Sequence, residues 1–190
     1  QDAAELHDAC GDANAAADYR DRADKACAYV NRECWDAERG LYRDRPDGDE
    51  ASQLGNAWAI LAGAADGEHT GDVDRASAVA GRLLDEGLPA ATLYGRYYVL
   101  RALSEADRYG GATDLLDDWT ELLAETDLTT WPERFGQGGS YCHAWSSAPL
   151  YEFLAEVLGV TPAKPGFEEV QVEPRSLDLD RASGTVPTPA

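Results

Sequence analysis

Between Thr129 and Pro149 the chain gathers two tryptophans, Trp131 and Trp145, with a carboxylate, Glu133, an arginine, Arg134, and a histidine, His143. Indole rings offer broad apolar faces that suit the C–H faces of a sugar. A carboxylate beside them can take a proton from a water attacking an anomeric carbon. Each residue also has a plainer reading. Glu133 beside Arg134 reads as a surface ion pair, His143 as a hydrogen-bonding residue ahead of a helix, and the tryptophans as core. What favours chemistry is their coincidence within 21 residues, alongside the hydroxyls of Thr129, Thr130, Ser140, Ser146 and Ser147. Gly138-Gly139 is not a phosphate loop, because no lysine follows it and no strand precedes it.

The elements that must hold this loop are helical. Asp12 is placed to cap a helix through Ala15, Ala16, Tyr19, Ala23, Ala26, Cys27 and Val30 to about Trp35, followed by an irregular loop from Asp36 to Asp49. A second helix is expected over 51–65, with Leu54, Ala57, Trp58 and Leu61 recurring at three and four, and a third after Asp72, with Val73, Ala76, Ala80, Leu83 and Leu84 on one stripe. Further helices follow over 93–108, over 112–125 with Leu115, Leu116, Trp119, Leu122 and Leu123 inward, and over 147–158. Starts at 51, 73, 93 and 112 have the rhythm of antiparallel αα-hairpins. Beyond residue 162 the pattern turns to short extended runs, first Phe167, Val170 and Val172, then a second strand suggested by Leu177, Leu179 and Val186.

Composition restricts the partners. With 36 acidic and 16 basic residues the formal net charge is −20 on 190 residues. That disfavours nucleic acid, whose phosphates require Lys and Arg, and anionic membrane surfaces. Hydrophobic residues make up 44%, enough for a globular core. Lys25 and Lys164 are the only lysines, and methionine is absent. So acidic a surface repels itself unless counter-ions screen it, so adaptation to a very salty compartment is the simplest reading. High-GC codon usage and an acidic partner-binding surface are the alternatives. Cys10, Cys27, Cys34 and Cys142 form no CxxC pair; Cys27 and Cys34, seven apart, are expected as buried apolar side chains rather than a disulfide or metal ligands. No metal or cofactor is expected, and no apolar run approaches a membrane span. Gln1-Asp-Ala-Ala-Glu5 has neither the basic nor the apolar region of a signal peptide. Lacking an initiator Met, the chain is expected to begin within something larger. Its location is expected to be the cytoplasm of a high-salt cell, or outside the cell if a signal lies upstream.

The order Thr129-Thr130-x-x-Glu133, then Ser140-x-Cys142-His143-Ala144-Trp145-Ser146-Ser147-Ala148-Pro149, then Val157-Leu158-Gly159-Val160, Pro165-Gly166-Phe167 and Val172-Glu173-Pro174 resembles the end of the catalytic domain of bacterial-type α-L-rhamnosidases (glycoside hydrolase family 78-like). Gly40-Leu41-Tyr42, Ser52-Gln53-x-x-Asn56-Ala57 and Tyr94-Gly95-Arg96-Tyr97-Tyr98-Val99-Leu100 extend the resemblance more diffusely upstream. It implies an inverting glycosidase on an (α/α)6 toroid followed by a small β-domain. The expected fold is therefore mainly α, about half of that toroid in αα-hairpins over residues 1–161, with the start of a C-terminal β-domain over 162–190. By the same resemblance Glu133 is the general base and His143 a substrate-contacting residue. Trp131, Trp145, Asn56, Tyr94 and Tyr97 are candidates for the sugar pocket.

One part of the family pattern is not matched. An inverting glycosidase needs a general acid some 6.5–9.5 Å from its base, and Asp8, Asp12 and Asp18 do not reproduce the family's acid motif. The chain is accordingly expected to be inactive alone: the C-terminal portion of a longer enzyme, a split subunit assembling with an N-terminal half, or a remnant that self-associates. Two alternatives stand beside this one: a non-catalytic helical protein that binds a saccharide or is purely structural, and another glycosidase or phosphorylase of the same toroid class.

Overall fold

The computed structural model describes residues 1–71, 75–85, 87–136, 138–175 and 177–189. The chain is mainly α and divides into two compact units, Gln1–Ala90 and Ala91–Ala190.

In the first unit α1 (Asp2–Ala9) packs on α2 (Ala13–Glu33). Asp12 caps α2, its carboxylate accepting the Ala15 N–H at 3.1 Å, as its place before the periodic stretch predicts. Helix α1 lies upstream of any expected element. The loop after α2 contains a short antiparallel hairpin, β1 (Trp35–Asp36) and β2 (Leu41–Tyr42), with Trp35 opposite Tyr42. The Asp36 carboxylate bends this turn by accepting the N–H groups of Glu38 and Arg39, and Gly40 (φ +65°) closes it. Ser52 caps α3 (Gln53–Leu61) through Gly55 N–H. A single turn, α4 (Gly67–Thr70), then leads to α5 (Arg75–Arg82), which packs on α3. Asp72 and Val73 lie outside the described residues. The core holds Cys27, Tyr42, Ala57, Ile60, Val79 and Leu83. Trp58, expected on the apolar stripe, is 47% exposed, because small neighbours such as Ala57 and Ala59 fill the buried face of α3. Cys27 and Cys34 are buried and unpaired, and burial pushes both thiols up.

In the second unit α6 (Arg96–Glu105) packs on α7 (Ala112–Glu125) and on α8 (Ala148–Glu152). Leu93, Val99, Leu100, Leu103, Leu115 and Trp119 are buried. Leu123 departs from expectation: at 58% exposure it faces outward with Leu150 and Phe153. α8 has Pro149 in its first turn, where a missing N–H costs nothing, and runs into a π-turn at Phe153–Val157. β3 (Val160–Pro162) then pairs antiparallel with β4 (Val170–Val172). Gly159 permits this return, since a Cβ there would lie 2.2 Å from the Glu173 carbonyl. The second strand suggested by Leu177, Leu179 and Val186 does not form among the described residues. Leu177 and Asp178 have positive φ and turn the chain. Among the described residues no helix is long and apolar enough to cross a membrane.

Candidate functional site

The candidate loop lies in the second unit between α7 and α8. Its two arms pair as a short ribbon: His143 N–H donates to Trp131 C=O at 2.8 Å and Glu133 N–H to Ser140 C=O at 2.8 Å. The Thr130 hydroxyl donates to Tyr141 C=O. Trp131 and Glu133 thus stand one two-residue step apart on one arm, about 7 Å along an extended chain. The ribbon is anchored from below, where the indole N–H of buried Trp119 donates to Ser146 C=O at 2.7 Å and fixes the one-turn segment Ala144–Ser146. Arg96 reaches across from α6, its guanidinium 4.9 Å from the Phe135 ring and paired with Asp118.

Glu133 is partly exposed. Its Oε2 accepts the Ser140 N–H at 3.0 Å, so among the described residues the carboxylate is bonded to that backbone donor rather than to the adjacent Arg134. His143 packs its ring 5.4 Å from Tyr94 and 5.7 Å from Trp145, the latter edge to face. Its Nε2 is buried and without a hydrogen-bond partner among the described residues. Tyr97 meets Tyr151 edge on at 5.9 Å, and burial raises its hydroxyl.

These residues divide between two clefts on either side of Ala144. One, of about 380 Å³, is lined by Trp131, His143, Thr129, Leu122, Leu128 and Leu150. The other, of about 430 Å³, is lined by Tyr94, Tyr97, Trp145 and Tyr151. Glu133 lines neither. Asn56 is elsewhere, in the first unit, and is fully buried. Its amide oxygen accepts Tyr42 N–H at 2.7 Å and its nitrogen donates to Tyr42 C=O at 2.9 Å. It serves the β2 backbone as a missing strand would.

Sequence reasoning missed a second charged cluster, beneath α8. Arg101 holds both oxygens of Glu152, at 3.1 and 2.7 Å, and Glu156 at 2.8 Å. The Tyr109 hydroxyl donates to Glu152 at 2.6 Å. Burial pushes Glu152 up, opposed by Arg101 and Tyr109. The available signal was two glutamates four apart in an otherwise apolar helix, a spacing that puts both on one face. Among the described residues no group of His, Cys, Asp and Glu is placed to hold a metal ion.

No protein-family model matches the chain, and no curated protein matches it. The solved structures to which the chain is similar include a rhamnosidase. The chain is similar to the crystal structure of a GH78 family rhamnosidase of Bacillus sp. GL1, with a TM-score of 0.75 and 25% identity over 92% of this chain. It therefore has a GH78-like fold. It spans 20% of the length of that rhamnosidase.

Proposed function

We propose that this chain supplies the base-bearing part of an inverting α-L-rhamnosidase-like glycoside hydrolase. The observation that supports the reading is the Trp131–Glu133/Ser140–His143 ribbon, whose arms carry a carboxylate two residues from Trp131, a residue lining one cleft, on a fold similar to a rhamnosidase. Glu133 accepts a proton from water as the water oxygen bonds to the anomeric carbon on the face opposite the leaving group. His143, Trp131, Trp145, Tyr94 and Tyr97 bound the sugar. Asn56, engaged with the Tyr42 backbone, is left out. The proton for the departing oxygen comes from a general acid on polypeptide outside these 190 residues. In terms of domains, residues 1–161 are helical catalytic scaffold, arranged as part of an (α/α)6 toroid, and 162–190 open a β-domain. The −20 charge is adaptation to salt.

A leaving group that needs no protonation tests this directly. In molar KCl the chain alone is expected to leave 4-nitrophenyl α-L-rhamnoside intact but to hydrolyse the 2,4-dinitrophenyl analogue. Glu133→Gln is expected to lower the latter rate on the order of 10²–10⁴-fold. Equal rates for wild type and variant, or none above buffer, contradict the base assignment.

A second reading has its own support. Glu133 lines neither cleft, which suits a saccharide-binding protein without catalysis. It predicts sugar binding and no turnover of either substrate.

A further inference from the structure

We propose that Gly139 and Ser140 are positioning residues for Glu133, fixing Oε2 so that Oε1 is presented to the reacting water; this rests on Glu133 being the base. Three observations converge on that step of the chain. The Ser140 N–H donates to Oε2 at 3.0 Å, while Ser140 C=O accepts the N–H of Glu133 itself at 2.8 Å. The two residues are thereby tied through both backbone and carboxylate. Next, the Cβ that Gly139 lacks would lie 2.9 Å from Oε2, 3.3 Å from Glu133 Cβ and 3.0 Å from Arg134 Nε. The space of one methyl group is what the carboxylate occupies. Finally, Ser140 is held in turn, its hydroxyl oxygen accepting Cys142 N–H at 3.2 Å on the way to His143.

The same loop contains its own controls. Gly136 (φ +75°) and Gly138 (φ +97°) share the left-handed backbone of Gly139 (φ +84°), yet a Cβ at either meets nothing within 4 Å. Alanine at all three positions carries a comparable backbone penalty. Only at 139 does it also meet the carboxylate. A loop glycine chosen merely for its φ would make the three variants alike.

The experiment follows the Ser140 amide proton and the Glu133 carboxyl carbon by NMR, on the labelled 190-residue chain in molar KCl, from neutral to acidic pH. In the wild type the amide proton is expected to move in step with protonation of the carboxylate, and in Glu133→Gln that movement is lost. Gly136→Ala and Gly138→Ala, which keep the donor and the space, are expected to retain it. Gly139→Ala is expected to lose it and, with the 2,4-dinitrophenyl substrate, to lower kcat while leaving KM unchanged. A wild-type amide that ignores the carboxylate overturns the proposal, as does a Gly139→Ala variant indistinguishable from Gly138→Ala. Either result leaves the base assignment standing, because that assignment falls if Glu133→Gln hydrolyses the activated substrate as fast as wild type or if the wild type shows no turnover above buffer.

Discussion

Two glutamates of the second unit, Glu152 and Glu133, show how the same side chain is used in opposite ways. Glu152 is fully buried, with both oxygens held by Arg101 and a third bond from Tyr109. Glu133 is partly exposed, with one oxygen held by a backbone N–H. A buried carboxylate with both oxygens engaged has little left to offer a substrate, and breaking its pairing strands the partner cation. A carboxylate steadied at one oxygen has a second with which to bind water. Burial alone would have picked out Glu152 as the active residue. Counting its partners points instead to Glu133.

The largest effect that sharpens this contrast is on stability. Glu152→Ala leaves Arg101 and Tyr109 short of a partner and is expected to cost about 3–5 kcal/mol, read from denaturant midpoints at fixed high salt. Asn56→Ala extends the rule to the other unit. It strands the buried N–H and C=O of Tyr42 and is expected to cost roughly 1–3 kcal/mol for each group. The wild type should also weaken in alkali. Burial, reinforced by Glu152, raises the Tyr109 hydroxyl above the ordinary 10.0, and burial raises Tyr42. Above that pH the unfolded chain loses protons that the folded chain keeps, so stability is intact below 10 and falls as pH climbs toward the folded values. A flat stability profile across that range would break the account of both tyrosines, and Tyr109→Phe should blunt the fall. The smallest effect is at Glu133, where Glu133→Gln should change stability by no more than about 0.5 kcal/mol. A loss comparable with that of Glu152→Ala would make the two glutamates equivalent.

The sequence made the helices legible where capping and periodicity agreed. Asp12 caps α2, and α7 spans Ala112–Glu125 as its apolar spacing predicts. It was less informative at the margins of a stripe: Trp58, among small residues, and Leu123, at the end of its stripe, both turned outward. The hairpin of β1 and β2 was hidden because two-residue strands have no periodicity to read. In the loop, residue types nominated Trp131, Glu133, His143 and Trp145. No spacing rule could reveal that His143 and Trp131 line one cleft while Trp145 and Tyr97 line another. That Asn56 is bonded to the Tyr42 backbone could not be read from its type, because a short polar side chain reads alike whether it meets a ligand or mends a strand edge. The Arg101 cluster joins residues 51 and 55 positions apart, beyond the reach of local pattern.

The central claim is that Glu133 belongs to a sugar site and Glu152 to the framework. Titrating the carboxyl-labelled chain with L-rhamnose in molar KCl, while recording both carboxyl carbons by NMR together with the His143 ring and the Trp131 and Trp145 indoles, tests it most directly. The account predicts saturable shifts at Glu133, His143 and the two indoles, with Glu152 unmoved; a loop that stays silent at high sugar, or a Glu152 that responds in place of Glu133, would contradict it.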